Sequence, residues 1–256
     1  MKFFVYLFLF TTFLAACELP KTTNQTNGVT DNRSKSDTIR YETMVVNENL
    51  GDCDGGRCAT VEFTYLKFND TYPFSAKVNE TLAAAIRGNA PTVAAAVDSF
   101  LAEAQEFFDQ VPDGATGYAT EAKQRLINTS EPYLVVEEAA YYYTGGAHGN
   151  YGIGFYNFDQ RTGQLLTLDD LFRPEYQATL EEVTEQYFKK KFLKAGMTNY
   201  SEAGFYFDDD QFTMTDNFAI LPDSLLFVYN PYEIAPYAMG MSEVTVPKSA
   251  LKSILK

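Results

Sequence analysis

The chain has 256 residues, with 34 Asp or Glu against 20 Lys or Arg, one histidine, three cysteines and no tryptophan. A formal net charge of −14 argues against nucleic acid and anionic lipid surfaces as partners and favours cationic ones. So few imidazoles and thiols leave little from which to build a metal centre or a nucleophilic catalyst, and no metal or other cofactor is expected.

Met1 and Lys2 precede an apolar run, residues 3–13, that is too short to span a bilayer, and Leu14-Ala15-Ala16-Cys17 follows. This is the pattern of a bacterial lipoprotein signal peptide. Residues 1–16 are expected to be removed and Cys17 to carry the lipid anchor, fixing the protein to an extracytoplasmic membrane surface of the cell envelope. Each acyl methylene buried there contributes about 0.8 kcal/mol. Glu18 and Leu19 do not decide the leaflet. Residues 17–40 are rich in Thr, Asn and Ser and nearly free of large apolar groups, so they read as a disordered tether. Cys53 and Cys58 in "GDCDGGRC" are expected to form a disulfide across the Gly-Gly turn, because an oxidising compartment favours it and a structural zinc site would need two further ligands.

From Tyr41 the composition becomes that of a folded domain. Residues 60–68 alternate as a strand does. A helix from about Ser75 to Gly88 aligns Val78, Leu82 and Ile86, and a second, opened by Pro91 in its first turn, aligns Val93, Val97, Leu101, Ala104 and Phe108. Residues 132–144 and 151–159 read as strands joined by a glycine-rich turn. Gly152 and Gly154 leave one face of the second strand bare for close approach. "DQRTGQ" (159–164) is hairpin-turn chemistry, and Asp169-Asp170 stand where a helix begins and caps form. The longest helix is expected over 174–195, with Leu180, Val183, Tyr187, Phe188 and Phe192 on one side, Lys189, Lys190, Lys191 and Lys194 at its end, and Gly196 closing it. Strands at 217–221, 225–229 and 242–246 precede a short helix opened by Pro247. This grouping predicts an α+β fold: a mostly antiparallel sheet with helices packed on one face, in two subdomains, 41–150 and 151–256, that share a core.

Three places could carry function. "YYYTGGAHGN" (141–150) holds His148 among glycines. No Gly-x-Ser-x-Gly elbow or free thiol accompanies it, so the glycines are read as a backbone device and the imidazole as a contact. The paired carboxylates Glu137-Glu138, Asp169-Asp170 and Asp208-Asp209-Asp210 lack the cleft-spanning separation of a glycosidase. The third place is "NPYEIAPYAMG" (230–240), a stiff loop that presents Tyr232 and Tyr237 with little entropy left to lose. The candidate ligand-binding residues are therefore Pro231, Tyr232, Glu233, Pro236, Tyr237 and His148, with no catalytic residue assigned.

"YYYTGGAHGNYG", "NFDQRTGQLLTLDDLF" and "YNPYEIAPYAMGMSEVTVP" resemble the paired extracytoplasmic domains of unknown function found in the lysozyme-binding anti-sigma factor RsiV and in the N-terminal region of the peptidoglycan deacetylase PdaC. The resemblance covers residues 58–255. It implies an α+β fold in two subdomains, no cofactor and no catalysis, since deacetylation in PdaC belongs to a separate domain. Unlike RsiV, this chain is expected to carry a lipid anchor in place of a membrane-spanning helix, without a sigma-binding segment. The expectation is a non-enzymatic envelope lipoprotein that binds a basic protein such as lysozyme, or peptidoglycan fragments of the wall. The alternative is an envelope hydrolase using a carboxylate pair and His148.

Overall fold

The computed structural model describes residues 39–111 and 117–256; the expected signal, Cys17 and the tether up to residue 38 lie outside them. The first two strands, β1 (Tyr41–Asp52) and β2 (Arg57–Phe68), form a long antiparallel hairpin whose pairing runs unbroken from Tyr41 opposite Phe68 to Asp52 opposite Arg57. The Cys53–Cys58 disulfide closes its turn, as expected from the sequence. Two helices follow, α1 (Ser75–Arg87) and α2 (Val93–Gln110). They carry the chain over to β3 (Tyr118–Asn128), which lies parallel to β2 with Ala59 opposite Tyr118 and Thr64 opposite Lys123. A parallel neighbour needs a long crossover, which the helices supply. Antiparallel β4 (Tyr133–Tyr143) and β5 (Asn150–Asp159) complete a five-stranded sheet in the order β1-β2-β3-β4-β5.

The helices cover one face of this sheet. Val78, Leu82 and Ile86 recur at four-residue spacing and are buried on α1. Val78 and Leu82 pack with Leu134, Val136 and Phe158, while Val97 of α2 packs with Val61 and Phe63. Thr92 caps α2 by accepting the Ala95 N–H at 3.1 Å, so Pro91 stands one position before the cap and not in the first turn as expected. Strands β1 and β3 are elements that the sequence reading did not draw. In β3 the core-facing places include the buried polar residues Gln124 and Asn128. Gln124 accepts the Leu66 N–H and donates to the Leu82 carbonyl and to Glu138, doing for the backbone what a neighbouring strand would. Burial holds the Glu138 carboxyl above its ordinary range, and the Gln124 hydrogen bond opposes that shift.

The C-terminal layer begins with a single helical turn, α3 (Leu168–Leu171), set by a capping box between Thr167 and Asp170 as the Asp-Asp pair foretells. Helix α4 spans Gln177–Phe192, shorter at both ends than the expected 174–195. Glu175 takes a positive φ of 64°, which breaks the helical path after Pro174. Leu193 is already extended, so the chain leaves the helix before Gly196. Leu180, Thr184 and Phe188 form its buried stripe. It packs against the antiparallel sheet β6 (Phe218–Ile220), β7 (Ser224–Tyr229) and β8 (Ser242–Pro247). A 3₁₀ turn at Lys248–Ala250 stands where the last helix was expected. Among the described residues no helix is long and apolar enough to cross a membrane.

The two sheets are joined by asparagine side chains. Asn157 of β5, buried, donates to the Phe218 carbonyl at 2.7 Å and accepts the Ile220 N–H at 2.8 Å. Asn128 donates to the Ile220 carbonyl. Asn230 accepts the Ile153 N–H at 2.8 Å and donates back to the Ile153 carbonyl, which also takes the Asn217 amide. An amide side chain carries one carbonyl and one NH₂, so it mimics a peptide group and pairs an edge that no strand reaches. Val135 sits in the C-terminal core with Ile127, Tyr133 and Phe155 packed beside it, so the core is continuous across the junction. The boundary drawn at 150/151 falls inside the β4–β5 hairpin, and β5 pairs with β4 along its length, from Asn150 opposite Tyr142 to Asp159 opposite Tyr133.

Candidate binding surface

The turn between β4 and β5 is shaped by its glycines. Gly145 has φ +80° and lies against the Phe107 ring, where a Cβ would overlap ring carbons. Gly149 lies under the Tyr141 ring and is equally without room for a side chain. The Tyr143 hydroxyl donates to the Gly146 carbonyl at 2.9 Å. Gly152, one of the two bare positions of β5, receives the Asn230 side chain, whereas Gly154 faces open space. Gly145→Ala is expected to destabilise the chain by about 1–3 kcal/mol, through positive φ and overpacking together. Urea unfolding of the variant beside Gly146→Ala, whose Cβ would meet nothing, checks this: equal midpoints would refute it.

This turn delivers His148 to the surface beside the loop that follows β7. The His148 and Tyr237 rings stack with centroids 4.4 Å apart. Tyr232 lies 5.5 Å from Tyr237, and Tyr151 meets Tyr237 edge-on at 5.6 Å and 76°. His148 Nδ1 is 2.8 Å from the Gly149 carbonyl and Nε2 is 3.2 Å from the Tyr232 hydroxyl. One tautomer satisfies both: Nδ1–H donates to the carbonyl and Nε2 accepts the phenol proton. With Nδ1 spent on backbone and Nε2 on a phenol, the imidazole is held as part of an aromatic platform.

The loop is built to hold these rings still. Pro231, Ile234 and Ala235 are buried and anchor it, so Pro231 supports the surface without joining it. Glu233 turns back to accept the Asn230 N–H at 2.9 Å. Tyr232, at φ +72°, donates its N–H to the Ala235 carbonyl, and Tyr206 donates its hydroxyl to the Tyr232 carbonyl. Pro236 opens a 3₁₀ turn, Tyr237–Met239. Tyr232 is 51% exposed, and Tyr206 (48%) and Met239 (44%) continue the apolar patch. Desolvation, helped by the phenols of Tyr151, Tyr141 and Tyr232, holds the Tyr237 hydroxyl above its ordinary range, so it remains a neutral donor.

Beside the platform lies a groove of about 540 Å³ on the sheet face opposite α1 and α2, lined in part by Asn47, Glu62, Glu121, Tyr141, Tyr151 and Met241. Five of these form one cross-strand row: Asn47 opposite Glu62, Glu62 opposite Glu121, Glu121 opposite Tyr141, Tyr141 opposite Tyr151. The sequence reading missed this row because β1 and β3 were not drawn. Two exposed glutamates directly opposite one another cost roughly 0.2–1 kcal/mol, and among the described residues no cation forms an ion pair with either. The carboxylate runs singled out from sequence do other work. Glu137 pairs with Arg125 at 2.8 Å and Glu138 with Gln124, Asp170 caps α3, and Asp210 accepts the Tyr200 and Ser201 N–H groups. Among the described residues no three His, Cys, Asp or Glu side chains converge to hold a metal.

Residues 169–249, which contain α4, β6 to β8 and the Tyr232–Tyr237 loop, match the model of a family described as a protein of unknown function, DUF3298. Over these residues the chain is similar to DUF3298 proteins. This accords with the RsiV-like and PdaC-like motifs read from the sequence. The chain is 25% identical over 134 residues to the peptidoglycan-N-acetylmuramic acid deacetylase PdaC of Bacillus subtilis; the match covers 52% of this chain and 28% of that protein. Two solved structures share the fold. A DUF3298 family protein from Pseudomonas aeruginosa superposes with a TM-score of 0.70 at 22% identity, covering 86% of this chain and 95% of the other. A DUF3298 family member from Bacteroides fragilis gives 0.68 at 25% identity over 85% and 94%. These coverages extend well beyond residues 169–249, so the helix-covered five-stranded sheet is part of the shared fold.

Proposed function

We propose that this chain is a non-enzymatic binding module of the bacterial cell envelope, held by a lipid on Cys17, whose ligand is a basic protein, with lysozyme as the first candidate. The observation that carries this reading is the joining of exposed His148 and Tyr232 with half-buried Tyr151 and Tyr237 into one pre-ordered surface platform at the rim of a groove floored by Glu62 and Glu121, neither in an ion pair among the described residues. Rigid tyrosines contribute large contact area at small entropic cost. Lysine and arginine side chains find faces for cation–π contact there and carboxylates beside them. The net charge of −14 draws such a partner in from a distance. The likeness to PdaC supports an envelope setting, and the shared stretch, 28% of that protein, leaves its deacetylase chemistry outside the comparison.

The test is surface-immobilised protein over which lysozyme and, separately, muropeptides are passed at two salt concentrations. Saturable lysozyme binding that weakens with salt is expected, with Tyr237→Ala or Tyr232→Ala lowering affinity at least about tenfold and Glu62→Gln with Glu121→Gln flattening the salt dependence. Binding of muropeptides alone would redirect the reading to a wall glycan. Wall degradation abolished by His148→Ala would instead favour the hydrolase alternative.

A further inference from the structure

The rings of the platform come from two stretches of chain, and the polar contact between them is made in the open. The Tyr232 hydroxyl reaches His148 Nε2 at 3.2 Å, between two exposed side chains. Water competes for such a bond, so it does not by itself hold the rings in one arrangement. A stronger link stands next to it in both segments. Asn230 is two residues before Tyr232, and Ile153 is two residues after Tyr151 and five after His148. Asn230 Oδ1 accepts the Ile153 N–H at 2.8 Å, and Nδ2 donates to the Ile153 carbonyl at 3.1 Å. Two bonds of opposite sense fix the amide against β5 in rotation as well as distance. The main chain of Asn230 is held too: its N–H donates to the Glu233 carboxylate at 2.9 Å, and its carbonyl accepts the Glu233 N–H at 3.1 Å. Between this fixed point and Tyr232 stands one residue, the buried Pro231, whose ring restricts the backbone.

The amide reaches β5 because residue 152 has no side chain. A Cβ on Gly152 would lie 2.9 Å from Asn230 Oδ1 and 3.1 Å from its Cγ, whereas the same atom on Gly154 would meet nothing within 4 Å. Of the two bare positions in β5, the one that is occupied receives Asn230. We propose that Asn230, seated in the space that Gly152 leaves, is the positioning residue of the aromatic platform: its amide is spent on Ile153, and its placement decides whether Tyr232 and Tyr237 meet His148. Its effect on partner binding rests on the reading given above; its effect on the rings does not.

The test uses the single histidine of the chain. In the full chain, solubilised from expressing cells with isotope-labelled histidine, the imidazole Cε1–H gives one resonance, displaced by the ring current of Tyr237, whose centroid is 4.4 Å away. Tyr237→Ala marks where that resonance falls without the stack. Asn230→Ala and Gly152→Ala are each expected to move it most of the way there. Two controls are expected to leave it in place, whatever they cost in stability: Gly154→Ala adds the same methyl two residues along β5, and Asn217→Ala removes a junction amide that donates to the Ile153 and Val228 carbonyls. Should Asn230→Ala fail to fold, Gly152→Ala, which keeps the amide itself, decides. Lysozyme affinity should fall about tenfold in either variant, and Asn230→Ala with Tyr237→Ala should lose less than the product of the two single losses, because one acts through the other. A resonance unmoved by Gly152→Ala, or moved as far by Gly154→Ala and Asn217→Ala, overturns the inference. A parent that binds no lysozyme removes the binding reading alone, and the resonance still decides the placement.

Discussion

Replacement of Phe188 by alanine is expected to lower stability by about 3–5 kcal/mol, among the largest single effects available in this chain. Phe188 is fully buried, and its ring lies within 4.7–6.1 Å, centroid to centroid, of Phe192, Phe205, Phe212, Phe207, Tyr200 and Tyr229. Those rings come from α4, the segment between α4 and β6, and β7, so one side chain ties together three parts of the C-terminal layer. Alanine would leave a cavity walled by rigid aromatics, which relax poorly, and it would forfeit edge-to-face contacts as well as buried area. Urea unfolding of parent and variant measures it: the midpoint should fall with the slope unchanged. A loss below about 1 kcal/mol, well short of the usual cavity cost, would show that the cluster is not packed around this residue.

Asn157→Ala is expected to cost roughly 2–6 kcal/mol, because it strands both the Phe218 carbonyl and the Ile220 N–H in the interior at about 1–3 kcal/mol each. Asn157 is only 2% exposed, so bulk solvent does not reach the groups it would leave unpaired. Asn157→Asp separates the two roles. The aspartate still accepts the Ile220 N–H, but when ionised it faces the Phe218 carbonyl with no proton to give. Burial raises its folded-state pKa above the unfolded value, so the variant should be least impaired in acid and lose stability as pH rises through the carboxylate range. Amide exchange at Ile220 gives a direct reading: protection there should fall further than at Val136, which is buried against the helices on the other side of the sheet. Equal protection in parent and Asn157→Ala would remove the clamp from the account.

The parts of this structure legible in the sequence are those where hydropathy and geometry agree. Val78, Leu82 and Ile86 announce α1, Thr167 with Asp170 announces the cap of α3, and the Cys53–Cys58 link follows from its spacing across a Gly-Gly turn. What was hidden is where polar residues occupy buried places. Gln124 and Asn128 break the apolar alternation of β3, because their amides replace backbone partners and so are satisfied inside. β1 is hidden for another reason: with no partner strand on one edge among the described residues and part of its length on the groove side, it carries asparagines where a central strand carries valines. The site divides in the same way. Tyr232, Tyr237 and His148 could be named from glycine, proline and aromatic spacing, yet their meeting across 84 residues of chain is a property of the junction alone. Glu62 and Glu121 become neighbours only through a parallel pairing that local sequence does not encode.

The amide clamps also set an order of events. Ile153 and the Asn230 side chain that closes on it are 77 residues apart, so at a synthesis rate of about 5–20 residues per second the outer rim of β5 waits roughly 4–15 s for its cover. Until Asn230 arrives, the nascent chain offers raw strand on both flanks at once. During that interval two rims stand open, whereas in the completed fold β5 is covered and, among the described residues, only the β1 rim has no partner strand.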